Sequence, residues 1–158
     1  MTLLHVRNLN VGFPTPDGVV HAVNDISFSI NAGETLAIVG ESGSGKTVTN
    51  LALMGLLNNN TAQISGTATF QSHDGEIDLL GIEGSKLQKY RGRDISMIFQ
   101  DPMSSLHPYY SIGDQIIEAH QVHNQVAPEV SRQRAIELLG MVGIPDPESR
   151  VDSYPHQF

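Results

Sequence analysis

The chain contains one stretch, "IVGESGSGKTVTN" at residues 38–50, in which three glycines, a lysine and a threonine stand at fixed intervals. Residues 40–47 match the pattern G-x-x-x-x-G-K-S/T, which forms a loop that wraps around phosphate groups. An apolar run, "TLAIVG" at 35–40, precedes the loop, and helical periodicity begins at Gly45. A strand, a glycine-rich loop and a helix in this order predict a phosphate-binding loop rather than an accidental glycine-rich turn.

Each residue type in this loop has a physical task. The glycines let the backbone turn successive N–H groups inward, toward an anion. The helix that begins near Gly45 adds the partial positive charge of its N-terminus. Lys46 is expected to reach the outer phosphates, and the Thr47 hydroxyl is expected to bind Mg²⁺. The expected ligand-binding residues are therefore Gly40, Glu41, Ser42, Gly43, Ser44, Gly45, Lys46, Thr47 and Val48.

Composition narrows the classes of function. The length of 158 residues fits one domain of ordinary size, and the net charge of −8 argues against a nucleic-acid surface, which needs clustered Lys and Arg. The absence of cysteine excludes disulfides, thiolate metal sites and cysteine nucleophiles. The N-terminus shows no signal-peptide pattern, and the apolar runs are too short to span a bilayer. Work at a membrane would therefore require a partner.

Hydrophobic periodicity gives the expected order of elements. Alternation of apolar and polar residues predicts strands at 3–13, 22–30, 64–70 and 76–80, and buried apolar runs predict strands at 35–40 and 94–100. Apolar spacing of three and four predicts helices from 45 to about 57, at 84–91, at about 112–123 and at 128–141. The tight turns are expected at 15–18, 31–34 and 72–75, "NNN" at 58–60 should stop the first helix, and a Pro-rich stretch at 144–149 precedes a last short segment.

Single residues outside the loop carry weaker signals. Phe13, expected in the loop after the first strand, could stack on a purine base or could be an ordinary core or hairpin aromatic. Gln100, expected at the carboxyl end of a strand, could contact water or a metal ion, or could simply end the strand. His120 and His123 could share a helix face, but no acidic or cysteine partner completes a metal site in sequence, so a solvated face is expected.

About 35 residues of apparent β structure precede the phosphate-loop strand, whereas small phosphate-loop kinases usually begin with that strand. Together with "GESGSGKTVT", "MIFQDPMSSLHP" and "YPHQF" in this order, the chain resembles the ATP-binding subunits of ABC transporters. The resemblance is strongest to the oligopeptide/dipeptide importer branch, whose relatives also carry nickel, and it runs from about Leu3 to Phe158. His107 stands where that branch usually has Asn, and Gln157 where Glu is common.

The resemblance implies an α/β fold of the phosphate-loop NTPase class, the ABC-type nucleotide-binding domain. Residues 1–100 would form an antiparallel β-subdomain and a partial RecA-like core with the phosphate loop. Residues 101–158 would form the glutamine loop and the start of the helical subdomain. ATP and Mg²⁺ are the implied cofactors.

The resemblance also assigns roles. Phe13 would stack on adenine, and the phosphate loop would hold the triphosphate and Mg²⁺. Gln100 would sense the γ-phosphate and Mg²⁺, and its neighbourhood would contact the transmembrane partner. Lys46 and Gln100 are thus the expected catalytic residues, and Thr47 and Gln100 the expected magnesium ligands.

The implied partners are transmembrane permease subunits and a second ATP-binding subunit facing the first head to tail. An extracytoplasmic peptide-binding protein would act indirectly, and nucleic acid is not an expected partner. The implied location is peripheral, on the cytoplasmic face of the inner (plasma) membrane.

In the family, "YPHxF" is followed by a serine-glycine-glycine signature, an acidic magnesium strand with the catalytic Glu, and a switch His. These motifs do not occur in the 158 residues, so the chain is expected to be the N-terminal part of the domain. We expect the 158-residue polypeptide by itself to be poorly soluble and to hydrolyse ATP negligibly. The alternatives are a non-catalytic nucleotide-binding module or a complete small kinase, although the arginines after residue 100 form no lid-like cluster.

Overall fold

A computed structural model describes residues 1–58, 60–101 and 105–158 of the chain. Four strands form an antiparallel sheet in the order β2-β1-β3-β4. The strands are β1 (Thr2–Thr15), β2 (Gly18–Asn31), β3 (Gln63–Ser72) and β4 (Gly75–Asp78). The structure confirms the four strands predicted at 3–13, 22–30, 64–70 and 76–80, and their observed ends differ by a few residues.

The β1–β2 hairpin is bent by bulges where polar residues adopt left-handed backbone. Asn8 and Asp25 have φ values of 48° and 50°, and the Asn8 side chain donates to Asp25 Oδ1 at 2.7 Å. Asn and Asp tolerate this conformation better than other residues, because their short polar side chains bond locally. The bend places the inward-facing β1 residues Val6, Leu9 and Val11 in the core, where they are fully buried.

Within the described residues there are five α-helices, of which the first four follow the order of the predicted helices. They are α1 (Lys46–Leu53), α2 (Gly84–Leu87), α3 (Ile112–His123), α4 (Pro128–Met141) and α5 (Pro147–Arg150), with a short 3₁₀ helix at Pro155–Gln157. The predicted bounds of α3 and α4 are confirmed. Ser111 caps α3 by accepting from the Asp114 N–H at 3.0 Å, and Pro128 begins α4 with a backbone angle suited to a first turn.

The chain forms two compact units, residues 1–96 and 97–158. The first contains the sheet, α1 and α2 around one core, which includes Leu53, Phe70 and Leu87. The second contains α3, α4 and α5 around a smaller core of Ala135, Leu139 and Val151. The assignment of 1–100 and 101–158 to particular subdomains stays a prediction.

Two predicted strands are wrong. Within the described residues, the apolar runs at 35–40 and 94–100 form no strand, and the one bridge in either run joins Arg91 to Ile95. An apolar run favours an extended chain, but a strand also requires a hydrogen-bonded neighbour. Along 35–40 the apolar side chains are consequently exposed, and Val39 is 90% accessible.

Other differences are smaller. The helix predicted from 45 to about 57 ends at Leu53, because Gly55 adopts a left-handed conformation, and the helix predicted at 84–91 is a single turn at 84–87. Asn59, part of the predicted helix stop, and residues 102–104, part of the motif after Gln100, lie outside the described residues. None of the helices in the described part of the chain has both the length and the apolar character of a membrane span.

Candidate functional site

The phosphate-loop motif lies between the exposed segment 35–40 and the first turn of α1. Gly45 is the N-cap of α1, with a φ of 87°, and it is buried. A Cβ atom at this position would collide with the carbonyl oxygen of Ala22 in β2 and lie 3.4 Å from the Val23 side chain. The loop therefore needs glycine here for two reasons, its left-handed backbone and the close approach of β2, and β2 fixes where the loop enters the helix.

The Lys46 ammonium group points back into the loop. Its Nζ donates to the carbonyl oxygens of Gly40 at 2.7 Å and Glu41 at 2.6 Å, and to Ser44 Oγ at 3.1 Å. An ammonium group has three donors, so these three bonds use them all. The cation is held at the centre of the loop, where an incoming phosphate oxygen can exchange with the loop acceptors.

The start of α1 offers further donors to an anion. The first amide groups of any helix have no acceptor inside the helix, and Gly45 has no side chain to cap them. The first turn contains no acidic residue, and Glu41, Ser42 and Ser44 are solvent-exposed. Exposed loop amides, a helix N-terminus and one central ammonium fit a polyphosphate.

Three residues of the first turn of α1 behave differently from one another. Thr47 is exposed, so its hydroxyl is accessible to a ligand, whereas the Val48 side chain packs against the core and leaves only its backbone for binding. Thr49 is buried, and its hydroxyl donates to the Gly45 carbonyl at 3.0 Å. This bond from Thr49 to the loop was not predicted from sequence; its signal is a hydroxyl residue on the apolar face of the helix.

A cavity of about 270 Å³ adjoins Lys46. Its polar lining comes from Lys46 and Asn50, one turn apart on α1, and the rest is apolar: Leu4, Phe28, Ile30, Leu36, Ile38 and Leu53. Asn50 was also missed from sequence, although its spacing of four from Lys46 puts it on the same helix face.

The expected position of Phe13 is wrong. Phe13 does not lie in a loop after the first strand but within β1, paired with Val20 of β2 near the hairpin end. Its ring is partly buried against the first core. A proline and an aspartate form the actual turn, so the strand continues two residues beyond Phe13. Adenine stacking by the remaining exposed part of the ring stays a prediction.

Gln100 is exposed at a bend, in the second unit of the chain. The apolar run predicts that Gln100 ends a strand, and this prediction is wrong. Its neighbours Ile98 and Phe99 are also exposed, at 89% and 49%. The roles of Gln100 toward Mg²⁺ and the γ-phosphate stay predictions.

The histidines on α3 do not form a metal site in the described structure. His120 Nδ1 instead lies 3.0 Å from the Oγ of Ser131, a fully buried residue of α4, and so links the two helices. Within residues 1–58, 60–101 and 105–158, no group of three or more His, Asp or Glu side chains is placed to hold a metal ion.

Known proteins resemble the chain over nearly its whole length. The oligopeptide transport ATP-binding protein OppD of Haemophilus influenzae is 47% identical over 156 residues, which is 99% of this chain and 47% of that protein. The dipeptide transport ATP-binding protein DppD of Bacillus subtilis is 45% identical over 99% of this chain and 46% of its own length. The chain thus spans about half the length of the curated relatives that it matches.

The fold has solved counterparts. The ATP-binding cassette MJ0796, determined as a dimer bound to ADP and Pi, matches with a TM-score of 0.79 at 20% identity, over 99% of this chain and 63% of that one. This likeness shows that the chain adopts part of an ABC ATPase fold. The ABC transporter family matches residues 23–158, which include the phosphate loop, α1 and all later elements. The chain therefore belongs to the ABC transporter family.

Proposed function

We propose that the chain is part of an ATP-binding and ATP-hydrolysing subunit that powers the import of peptides through an ABC transporter. The observation that carries the proposal is the Lys46 ammonium, held inside the exposed loop at the N-terminus of α1. The similarity to oligopeptide and dipeptide transport ATP-binding proteins supports peptides as the cargo. Family membership also argues against a complete small kinase.

The loop residues would bind the triphosphate. Lys46 would exchange its bonds to the Gly40 and Glu41 carbonyls for bonds to phosphate oxygens, and the amides of Gly43 to Val48 would donate to the same group. The exposed Thr47 hydroxyl and the Gln100 side chain would hold Mg²⁺, which, when bound, neutralises charge on the phosphates. Phe13 would contact adenine through the exposed part of its ring.

The partners follow from the same proposal. Permease subunits would carry the peptide path, a second ATP-binding subunit would face this one head to tail, and a peptide-binding protein outside the membrane would deliver the cargo. The dimer of the MJ0796 cassette supports pairing of such subunits. The chain would then work at the cytoplasmic face of the membrane, attached through its permease.

A nucleotide titration tests the phosphate-loop assignment. We expect the chain to bind ATP more tightly with Mg²⁺ than without it, and Lys46→Ala to weaken binding about 10- to 100-fold, because a hydrogen bond to a charged group contributes about 1.5–3 kcal/mol. Isothermal titration calorimetry measures both affinities, and circular dichroism checks that the variant keeps its fold.

Lys86→Ala is the matched control for that titration. Lys86 is an exposed lysine of α2 that pairs with Glu83 at 3.1 Å, so its removal also deletes one positive charge from the same unit. We expect its ATP affinity to equal that of the unaltered chain. Equal affinities for Lys46→Ala and Lys86→Ala would overturn the assignment.

A further inference from the structure

The C-terminal end of α1 is closed by Arg91, a residue far along the chain. After Leu53, the Gly55 N–H donates to the Ala52 carbonyl and the Leu56 N–H to the Leu51 carbonyl, the paired bonds of a Schellman motif. The Arg91 guanidinium then donates to the two carbonyls that follow the last helical residue, with Nε 2.7 Å from Met54 O and Nη2 2.6 Å from Gly55 O. A cation at this end of a helix also favours the helix dipole.

Core packing holds Arg91 in this place. Leu87 and Tyr90, which precede Arg91 in the chain, belong to the first core and are only 1% and 8% exposed. Gly55 leaves the space that the contact requires, because a Cβ there would lie 2.5 Å from Leu87 Cδ2 and 2.9 Å from Arg91 Nη2. The guanidinium is itself partly buried, so its geometry is set by the surrounding side chains rather than by solvent.

The segment that carries Arg91 is also fixed to the sheet. Asp94 Oδ1 accepts from the backbone N–H of His73 at the β3–β4 turn, at 2.9 Å, and the Asp94 N–H donates to the Tyr90 carbonyl. Lys89 pairs with Asp74 of the same turn at 2.8 Å. Arg91 therefore connects the far end of α1 to the β3–β4 hairpin.

The two ends of α1 are close enough to act on each other. Eight helical residues span about 12 Å, so a shift at Met54 moves the whole element, including Lys46 at its start. At the N-terminal end, the Ala22 carbonyl of β2 lies against Gly45, and Val48 packs on the same core as Val23 of β2. The bonds from Arg91 add an anchor at the C-terminal end, which helps to fix the direction in which the helix points its first amides.

We propose that Arg91 is a positioning residue for polyphosphate binding: its two bonds to the end of α1 hold the phosphate loop in a binding-ready geometry. The proposal rests on the proposed function of the loop. It predicts that Arg91 influences the binding of the triphosphate group without contacting it.

The test is to compare Arg91→Gln, Arg91→Lys and the unaltered chain for binding of MgATP and of inorganic triphosphate. We expect Arg91→Gln to weaken both ligands by a similar factor, about 2- to 30-fold, the range for residues that act through a packed element. Arg91→Lys keeps the charge but not the two-donor fork, so its affinities should lie between those of Arg91→Gln and those of the unaltered chain. Amide NMR shifts of Lys46 and Thr47 should move in Arg91→Gln before ligand is added.

Lys86→Gln is the matched control. Lys86 lies five residues earlier, is exposed and pairs with Glu83 at 3.1 Å, so its neutralisation should leave both affinities unchanged. If Arg91→Gln only lowers the unfolding free energy, with affinities and loop amide shifts unaltered, the positioning role is wrong. If the unaltered chain binds neither ligand, the proposed function of the loop fails first.

Discussion

Gly45 is the residue on which the shape of the phosphate loop depends most directly. We predict that Gly45→Ala lowers the unfolding free energy by more than the roughly 1–3 kcal/mol expected for a left-handed non-glycine residue alone. The additional loss comes from the collision of the new Cβ with the Ala22 carbonyl of β2. Urea unfolding followed by circular dichroism measures the change.

Gly33→Ala provides the comparison for that measurement. Gly33 has a φ of +77°, close to the +87° of Gly45, but no atom lies within 4 Å of a Cβ built there. Its variant should therefore show the cost of the left-handed backbone without the collision. Equal losses for the two variants would mean that β2 does not constrain the loop.

Individual residues were predictable from sequence only where a local motif defines them. Residues 40–47 follow a fixed spacing, so the loop could be placed without a structure. The position of Phe13 could not, because a hairpin of two long strands extends past it and the extension depends on cross-strand pairing with Val20. Arg91 could not be found either, since its acceptors at Met54 and Gly55 are more than thirty positions away.

Between elements, the clearest electrostatic link joins α4 to the residues after α5. Arg132 and Asp152 form a two-bond ion pair, with both N–O distances at 2.7 Å. The hydrogen bond from Arg132 holds the pKa of Asp152 below its ordinary value, and the same bond raises the pKa of Arg132. The pair therefore connects α4 to the C-terminal segment only while Asp152 is ionised.

This pair predicts a pH dependence. Because the pKa of Asp152 is lowered by folding, its contribution to stability is present above the ordinary aspartate pKa of about 3.9 and disappears as the pH falls through the lowered value. We expect the unfolding free energy of the unaltered chain to exceed that of Asp152→Asn above about pH 5, and the difference to close in stronger acid. Unfolding curves at a series of pH values measure it.

The difference in unfolding free energy between the unaltered chain and Arg132→Gln should also close in strong acid, because the ion pair needs both partners. A difference between the unaltered chain and either variant that stays constant down to strong acid would contradict the assignment of the ion pair. Both side chains are largely exposed, so added salt should shrink the difference as well.

Elements were predictable where their stability is local. Apolar spacing predicted α3 and α4, and the structure shows that Ser111 caps α3 and Pro128 begins α4, signals that each act within one turn. The strand at 35–40 was wrong because a strand is completed by a neighbour that the run itself does not specify. The single turn α5 was missed, although Pro147 at its first position was a usable signal.

Over the whole molecule, large apolar side chains remain exposed along the segment that leads into the loop. Leu36, Ile38 and Val39 are 42%, 43% and 90% accessible, and their backbone joins no ladder within the described residues. We predict that the 158-residue polypeptide self-associates at micromolar concentration, because an unpaired apolar segment invites pairing with another chain. Sedimentation velocity over a concentration series measures the association.

The double variant Ile38→Thr, Val39→Thr should reduce that association, because it makes the exposed segment less apolar. Val122→Thr serves as its control, because Val122 is 70% exposed on α3, outside the segment. A monomer at all concentrations, or equal association of both variants, would contradict the prediction. The expectation that this polypeptide alone turns over ATP negligibly stays a separate prediction, checked by phosphate release.

The bonds from Lys46 to the Gly40 and Glu41 carbonyls also affect what its removal would mean. Both oxygens accept from the ammonium, so the cation neutralises the negative ends of two loop dipoles. An alanine at position 46 deletes an attraction and, at the same time, uncovers two repulsive oxygens. The loss of affinity in that variant is thus a sum of two contributions, larger than what a lysine side chain gives by touching phosphate alone.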